Sequence, residues 1–197
     1  MNDDQTHGAA SYADSSRLID HVIVAETAGD LDAELDFLRR SVSTPNPGPL
    51  ALHLAAAEFA QRGETGSAIV HFTQALERAP TMHVARLQLA LLWLIQRSPA
   101  TAAATLQPLL SEDPASAFAY FATALEALTR QEAGTAAEAI DRGLAMGCDN
   151  EALLNDMCTL RSRLDAGRSV EGADAHLATM RHGLAVGAYT SSEDPES

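Results

Sequence analysis

Seven histidines, two cysteines and a short run of carboxylates are the residues of this 197-residue chain whose types could hold a metal, move a proton or attack an electrophile. Their spacing argues against each of these. His176 and His182 stand six residues apart, which puts them on different sides of a helix. His53 and His71 fall in segments expected to face each other, yet no carboxylate joins them at metal-ligand spacing. There is no Gly-x-Ser-x-Gly elbow, no Cys-x2-Cys pair and no phosphate-binding glycine loop. Asp30, Asp32, Glu34 and Asp36 open a helical segment, where carboxylates favour the positive end of the dipole, and read as a solvated face. The sequence therefore predicts no catalytic residue, no metal site and no cofactor, and the chain is not expected to be an enzyme.

The charge balance narrows the partners. The formal net charge is −14, and all thirteen basic residues are arginine. Without lysine there is no Schiff-base amine, no phosphate-loop lysine and no lysine-rich patch for a nucleic-acid backbone. Nucleic acid and anionic membranes are thus not expected partners. Met1 to Ser16 carry neither a basic n-region nor an apolar run, so no signal peptide or anchor is read there and a cytoplasmic location is expected. Cys148 and Cys158 are ten residues apart with most of that span in one helix, too far for a disulfide, and are expected to be free thiols. Hydrophobic residues make up 46% of the chain and aromatics only 5%, with alanine abundant, a composition suited to close-packed helices.

What must position any functional residue is a repeat. Ala56, Ala90, Ala124 and Cys158 are spaced by 34 residues, and Phe59 and Trp93 follow the first two by three. Ala68, Ala102 and Ala136 recur at 34, each followed four residues later by a large apolar side chain, Phe72, Leu106 or Ile140. Pro80, Pro114 and Cys148 close the units. This pattern resembles the tetratricopeptide-repeat (TPR) family, most closely over Leu50 to Pro80, where Ala56, Phe59, Gly63, Ala68, Phe72, Ala75 and Pro80 take the family spacing. Leu109, Ala127, Gly143 and Cys148 depart from it.

The resemblance implies an all-α, right-handed α-solenoid of antiparallel helix pairs, about four repeats plus a C-terminal capping helix. Antiparallel helices approach closely only where one side is small and a large neighbour fills the space, so Ala56 and Ala68 are contact positions and Phe59 and Phe72 the fillers. Cys158, in the place of the small alanine, is expected in the core. Ala33, Phe37 and Pro45 repeat the spacing weakly, which places helices over Ser16 to Ala28 and Leu31 to Val42 as a degenerate first unit. Repeats are expected near 15–45, 49–82, 83–116 and 117–150, with a degenerate one over 151–186 whose last helix, Ala173 to Val186, caps the stack. Residues 1–14 and 190–197 read as disordered acidic tails.

In such a solenoid the first helix of each pair lines the concave wall, the family's usual binding surface. The helix from His83 to Arg97 has no charge between Arg86 and Arg97, so it needs covering on more than one side. Ala90 and Trp93 are assigned to its own repeat partner; Leu87, Leu91, Leu94 and Ile95 fall on the other face, followed in the next unit by Phe118, Phe121, Leu125 and Leu128. With His53 these residues form the expected partner-binding groove. Its occupant is expected to be an apolar or amphipathic segment of another protein, the chain's own terminal helix, or a second copy in a homo-oligomer. Small acidic TPR proteins similar in size and groove character include chaperones that hold hydrophobic export substrates in bacterial secretion systems. The clamp for acidic C-terminal tails needs lysine and asparagine, whereas the matching places hold His53, Ala57 and Leu87. Two readings of function result: a cytoplasmic adaptor or chaperone with a reversible client, or a structural subunit or self-associating scaffold of a larger bacterial complex.

Overall fold

The computed structural model describes residues 31–166. They form eight helices: α1 (Leu31–Val42), α2 (Pro49–Gln61), α3 (Thr65–Arg78), α4 (His83–Ile95), α5 (Pro99–Glu112), α6 (Ala117–Thr129), α7 (Ala133–Met146) and α8 (Glu151–Asp165). The described residues contain no strand. Helices α2 and α3, α4 and α5, and α6 and α7 form antiparallel pairs, and each element packs chiefly on its neighbours in sequence. This is a TPR-like helical solenoid. The expected helices over Ser16 to Ala28 and Ala173 to Val186, and both tails, lie outside the described residues.

The close contacts fall where the small residues recur. Ala56, Ala68, Ala90, Ala102, Ala124 and Ala136 are all completely buried. The turn inside each pair also keeps the period. Gly63, Arg97 and Gln131, 34 residues apart, have φ of 75°, 54° and 60°, the left-handed conformation that ends a helix. Around them the same two hydrogen bonds recur. The residue after each donates back to the helix, Glu64 N to Phe59 O at 2.8 Å, Ser98 N to Trp93 O at 2.8 Å and Glu132 N to Ala127 O at 3.0 Å. The turn residue itself donates to Ala60, Leu94 or Leu128 at 3.0–3.1 Å. This paired closure satisfies terminal carbonyls and reverses the chain within three residues. The links before α6 and α8 carry side-chain helix caps instead: Ser116 Oγ accepts from Ala119 N at 3.1 Å, and Asn150 Oδ1 from Leu153 N at 2.9 Å.

Two apolar clusters fill the solenoid, and α4 belongs to both. Ala85, Leu89 and Leu92 join α1, α2 and α3 around Phe72; Val84, Leu87, Ala90 and Leu91 join α5 to α8 around Phe121. That is the physical reason for the charge-free run of α4. It also corrects two side-chain assignments. Trp93, expected against its own repeat partner, packs on the cluster of the preceding unit. Cys158, expected in the core, is exposed, because among the described residues α8 has no following partner helix to bury the position that α3, α5 and α7 cover in earlier units.

Only one of the three left-handed turn residues is glycine, and the other two bear the steric cost of a Cβ there, about 1–2 kcal/mol. Gly63→Ala is therefore expected to lower stability by about that amount, while Gln131→Gly raises it by up to about 1 kcal/mol after the added chain entropy of glycine. Urea unfolding of both variants followed by circular dichroism measures the two opposite shifts.

Candidate interaction surface

The wall assigned to binding is formed by the first helices of the pairs, α2, α4, α6 and α8. Its best-defined polar contact joins the first two: His53 Nε2 lies 2.8 Å from Gln88 Oε1. The amide oxygen only accepts, so Nε2 carries the proton and donates. His53 is buried, with its ring 5.7 Å from that of Phe72, and burial lowers its pKa from 6.5 to about 4. It is neutral at physiological pH and works as an interhelical fastener. His71 lies apart from it, 5.1 Å from the Phe59 ring, with Nδ1 bound to the Ser67 carbonyl at 2.7 Å.

The remaining groove residues are brought together, but most are covered. Leu87, Leu91, Phe121, Leu125 and Leu128 are buried in a single cluster, against which Leu94, Ile95 and Phe118 are half-buried. Helices α4 and α6 pack directly on one another, so their facing rows bury each other. The wide open trough expected from the sequence is thus contracted to a partly exposed rim of Leu94, Ile95 and Phe118. Phe118 is held by His83, ring to ring at 5.1 Å. Phe121 departs furthest from expectation: it points into its own helix pair, filling the space left by Gly143, where a Cβ would lie 2.4 Å from the ring. The departure of Gly143 from the family pattern is compensated by this larger partner.

Two residues of the wall were not singled out from the sequence. Leu54, Gln88, Ala122 and Asp156 are spaced by 34 residues, so they occupy one row across α2, α4, α6 and α8. The period was the available signal; Gln88 and Asp156 have no unusual type to draw attention. Asp156 shares a helical stripe with the buried Leu153, Met157 and Leu160, and burial pushes its pKa from 3.8 up to about 7. Among the described residues it has no hydrogen-bond or ion-pair partner. The other carboxylates that are at least half-buried all have arginine partners: Glu58 with Arg62 at 2.6 Å, Glu64 with Arg39 at 3.4 Å and Glu126 with Arg130 at 3.0 Å.

Among the described residues no group of three or more histidine, cysteine or acidic side chains is placed to hold a metal ion. None of the described helices is long and apolar enough to cross a membrane. Cys148 is half-buried with its thiol pKa raised by burial, and neither cysteine forms a disulfide.

No protein-family model and no curated protein sequence matches the chain. Solved structures do. The segment of MamA from residue 41 to its end, from Desulfovibrio magneticus RS-1, superposes with a TM-score of 0.53 at 15% identity, covering 89% of this chain and 96% of that one. The MamA RS-1 ArsTM double mutant gives a TM-score of 0.53 at 16% identity over 91% and 97%. MamA is a TPR-like helical solenoid, and at this identity the likeness establishes the fold alone.

Two consequences can be measured. Gly143→Ala is expected to cost about 1–2 kcal/mol, the clash with Phe121 outweighing the gain in helix propensity, and Phe121→Leu in the same chain should recover part of that loss in urea unfolding. His53 binds its proton more weakly folded than unfolded, so its contribution to stability is intact above pH 6.5, falls as pH drops toward 4, and is constant below. Against His53→Gln, which does not titrate, wild type should lose about 2 to 3 kcal/mol more between pH 7 and pH 4.5.

Proposed function

We propose that this chain is a non-catalytic protein-protein interaction module, an adaptor or chaperone that holds an apolar or amphipathic segment of a partner protein along its inner wall. The observation that carries this reading is a set of half-buried apolar side chains on the wall of a strongly acidic protein, Leu94 and Ile95 at the end of α4 and Phe118 beside His83 at its start. A helical segment laid there would add its apolar face to the cluster beneath, the energetics of a helix seated in a groove. The buried leucines around Phe121 then serve as the floor that fixes the rim, not as contact residues. The TPR-like fold supports a protein-binding or scaffold role.

A second reading, a structural subunit or self-associating scaffold, is favoured by a different observation. Among the described residues Val70 on α3 and Met146 on α7 are the exposed large hydrophobic ones, at 51% and 54%, and both lie on second helices, away from the inner wall. Copies or neighbouring subunits could pack there.

One experiment separates the readings. Leu94→Glu with Phe118→Glu, checked for unchanged helicity by circular dichroism, is expected to abolish capture of one specific protein from native lysate that wild type retains, while Val70→Glu with Met146→Glu retains it. Sedimentation velocity supplies the other arm. Mass that grows with concentration in wild type and is lost in the Val70/Met146 variant would favour the scaffold and count against the groove.

A further inference from the structure

We infer that the chain carries its own occupant for the inner wall: the C-terminal segment Ala173 to Val186 lies as an amphipathic helix along α4 and α6, on Leu94, Ile95 and Phe118, and a partner segment has to displace it. This rests on the groove reading and adds the regulation of that site.

The turn that closes each of the three complete pairs is missing after α8. Asp165 stands one period beyond Gln131, yet it lies inside α8 and is not left-handed. Ala166, the counterpart of Glu64, Ser98 and Glu132, has φ of −76° and donates to Ser162 O at 3.2 Å. That is an ordinary helical bond, in place of the longer back-donation that reverses the chain in the earlier units. No left-handed turn therefore folds the following residues back on α8. The exposure of Cys158, at the position that second helices cover in the earlier units, agrees with this. The chain leaves α8 at the edge of the stack where the first helices end, and Leu94 and Ile95 stand at that same edge.

Reach and shape then fit the wall. Packed helices lie about 10 Å apart, and the six residues 167–172 extend to about 20 Å, enough to carry the chain from the end of α8 to the end of α6 or α4. Ala173 to Val186 as a helix measures about 21 Å, and α4, with 13 residues, about 20 Å. A helix of that length running opposite to α4 and α6 reaches from Leu94 and Ile95 at one edge to Phe118 at the other. Ala173, Leu177, Met180 and Leu184 share one face of it. Fourteen residues with Gly183 among them do not hold a helix alone in water, so this face needs a cover. The half-buried apolar side chains of a wall without charge from Leu87 to Gln96 on α4 and from Ala117 to Leu125 on α6 supply one.

The chain has no lysine, so trypsin reads only its arginines, among them Arg168 in the connection and Arg181 beside the apolar face. In the full chain Arg181 is expected to be cut at least about tenfold more slowly than Arg168. That protection should be lost in Leu177→Glu with Leu184→Glu and in Leu94→Glu with Phe118→Glu, and kept in Cys158→Glu. Arg181 cut as fast as Arg168 in wild type overturns the inference. So does protection that Cys158→Glu removes and the Leu94/Phe118 variant keeps, because the segment then caps α8. The Leu177/Leu184 variant carries no change in the described helices, so the test stands even if the wall variant unfolds. Fluorescence anisotropy with an amidated helical peptide of leucine, alanine and glutamine separates this inference from the groove reading. Binding about tenfold tighter to the Leu177/Leu184 variant than to wild type supports both. Equal binding to the two overturns the internal occupant and leaves the groove standing, and binding to neither overturns the groove and the displacement with it.

Discussion

The contact on which the structure depends is the close approach of two helices at a pair of small residues. At Ala56 and Ala68, and at their counterparts one and two periods later, no side chain stands between the backbones, and none of these alanines is exposed. The approach lets one large side chain per pair, Phe72, Leu106 or Ile140, reach full burial. Loss of a small residue would separate the helices and with them the row of first helices that forms the wall. The hairpin turns serve the same constraint. A left-handed residue with two backbone bonds reverses the chain so tightly that the second helix has to return along the first.

The fold was legible because the period is written in residue types of low ambiguity. Alanine at 34-residue spacing, glycine at one turn and proline after two of the second helices place the pairs, and the expected span for α1 coincides with the observed helix. The wall was less legible. The expected groove residues were chosen by helical periodicity, which says which side a residue faces but not how far the neighbouring first helix intrudes. The direct packing of α4 on α6 closed most of that surface. Phe121 and Trp93 turned elsewhere for reasons that lie in other helices: the missing Cβ of Gly143 in one case, the core of the preceding unit in the other.

The same limit explains Cys158 and Asp156. A period identifies positions as equivalent, and equivalence was taken to mean equal burial. At α8 the neighbours differ: no described helix follows to cover Cys158, and the stripe facing the core carries a carboxyl in place of an apolar residue. Equivalence along a solenoid holds for backbone and turn, and it weakens for side chains toward an end.

The double membership of α4 sets how the molecule comes apart. A stack of repeats normally melts unit by unit, each boundary a place where disorder can halt. Here one helix contributes buried leucines to both clusters, so the boundary between the first and second complete units runs through a shared wall instead of a seam. Losing α4 exposes both cores at once. Unfolding that starts at either end has nowhere to stop there, and the described helices are joined in one cooperative transition.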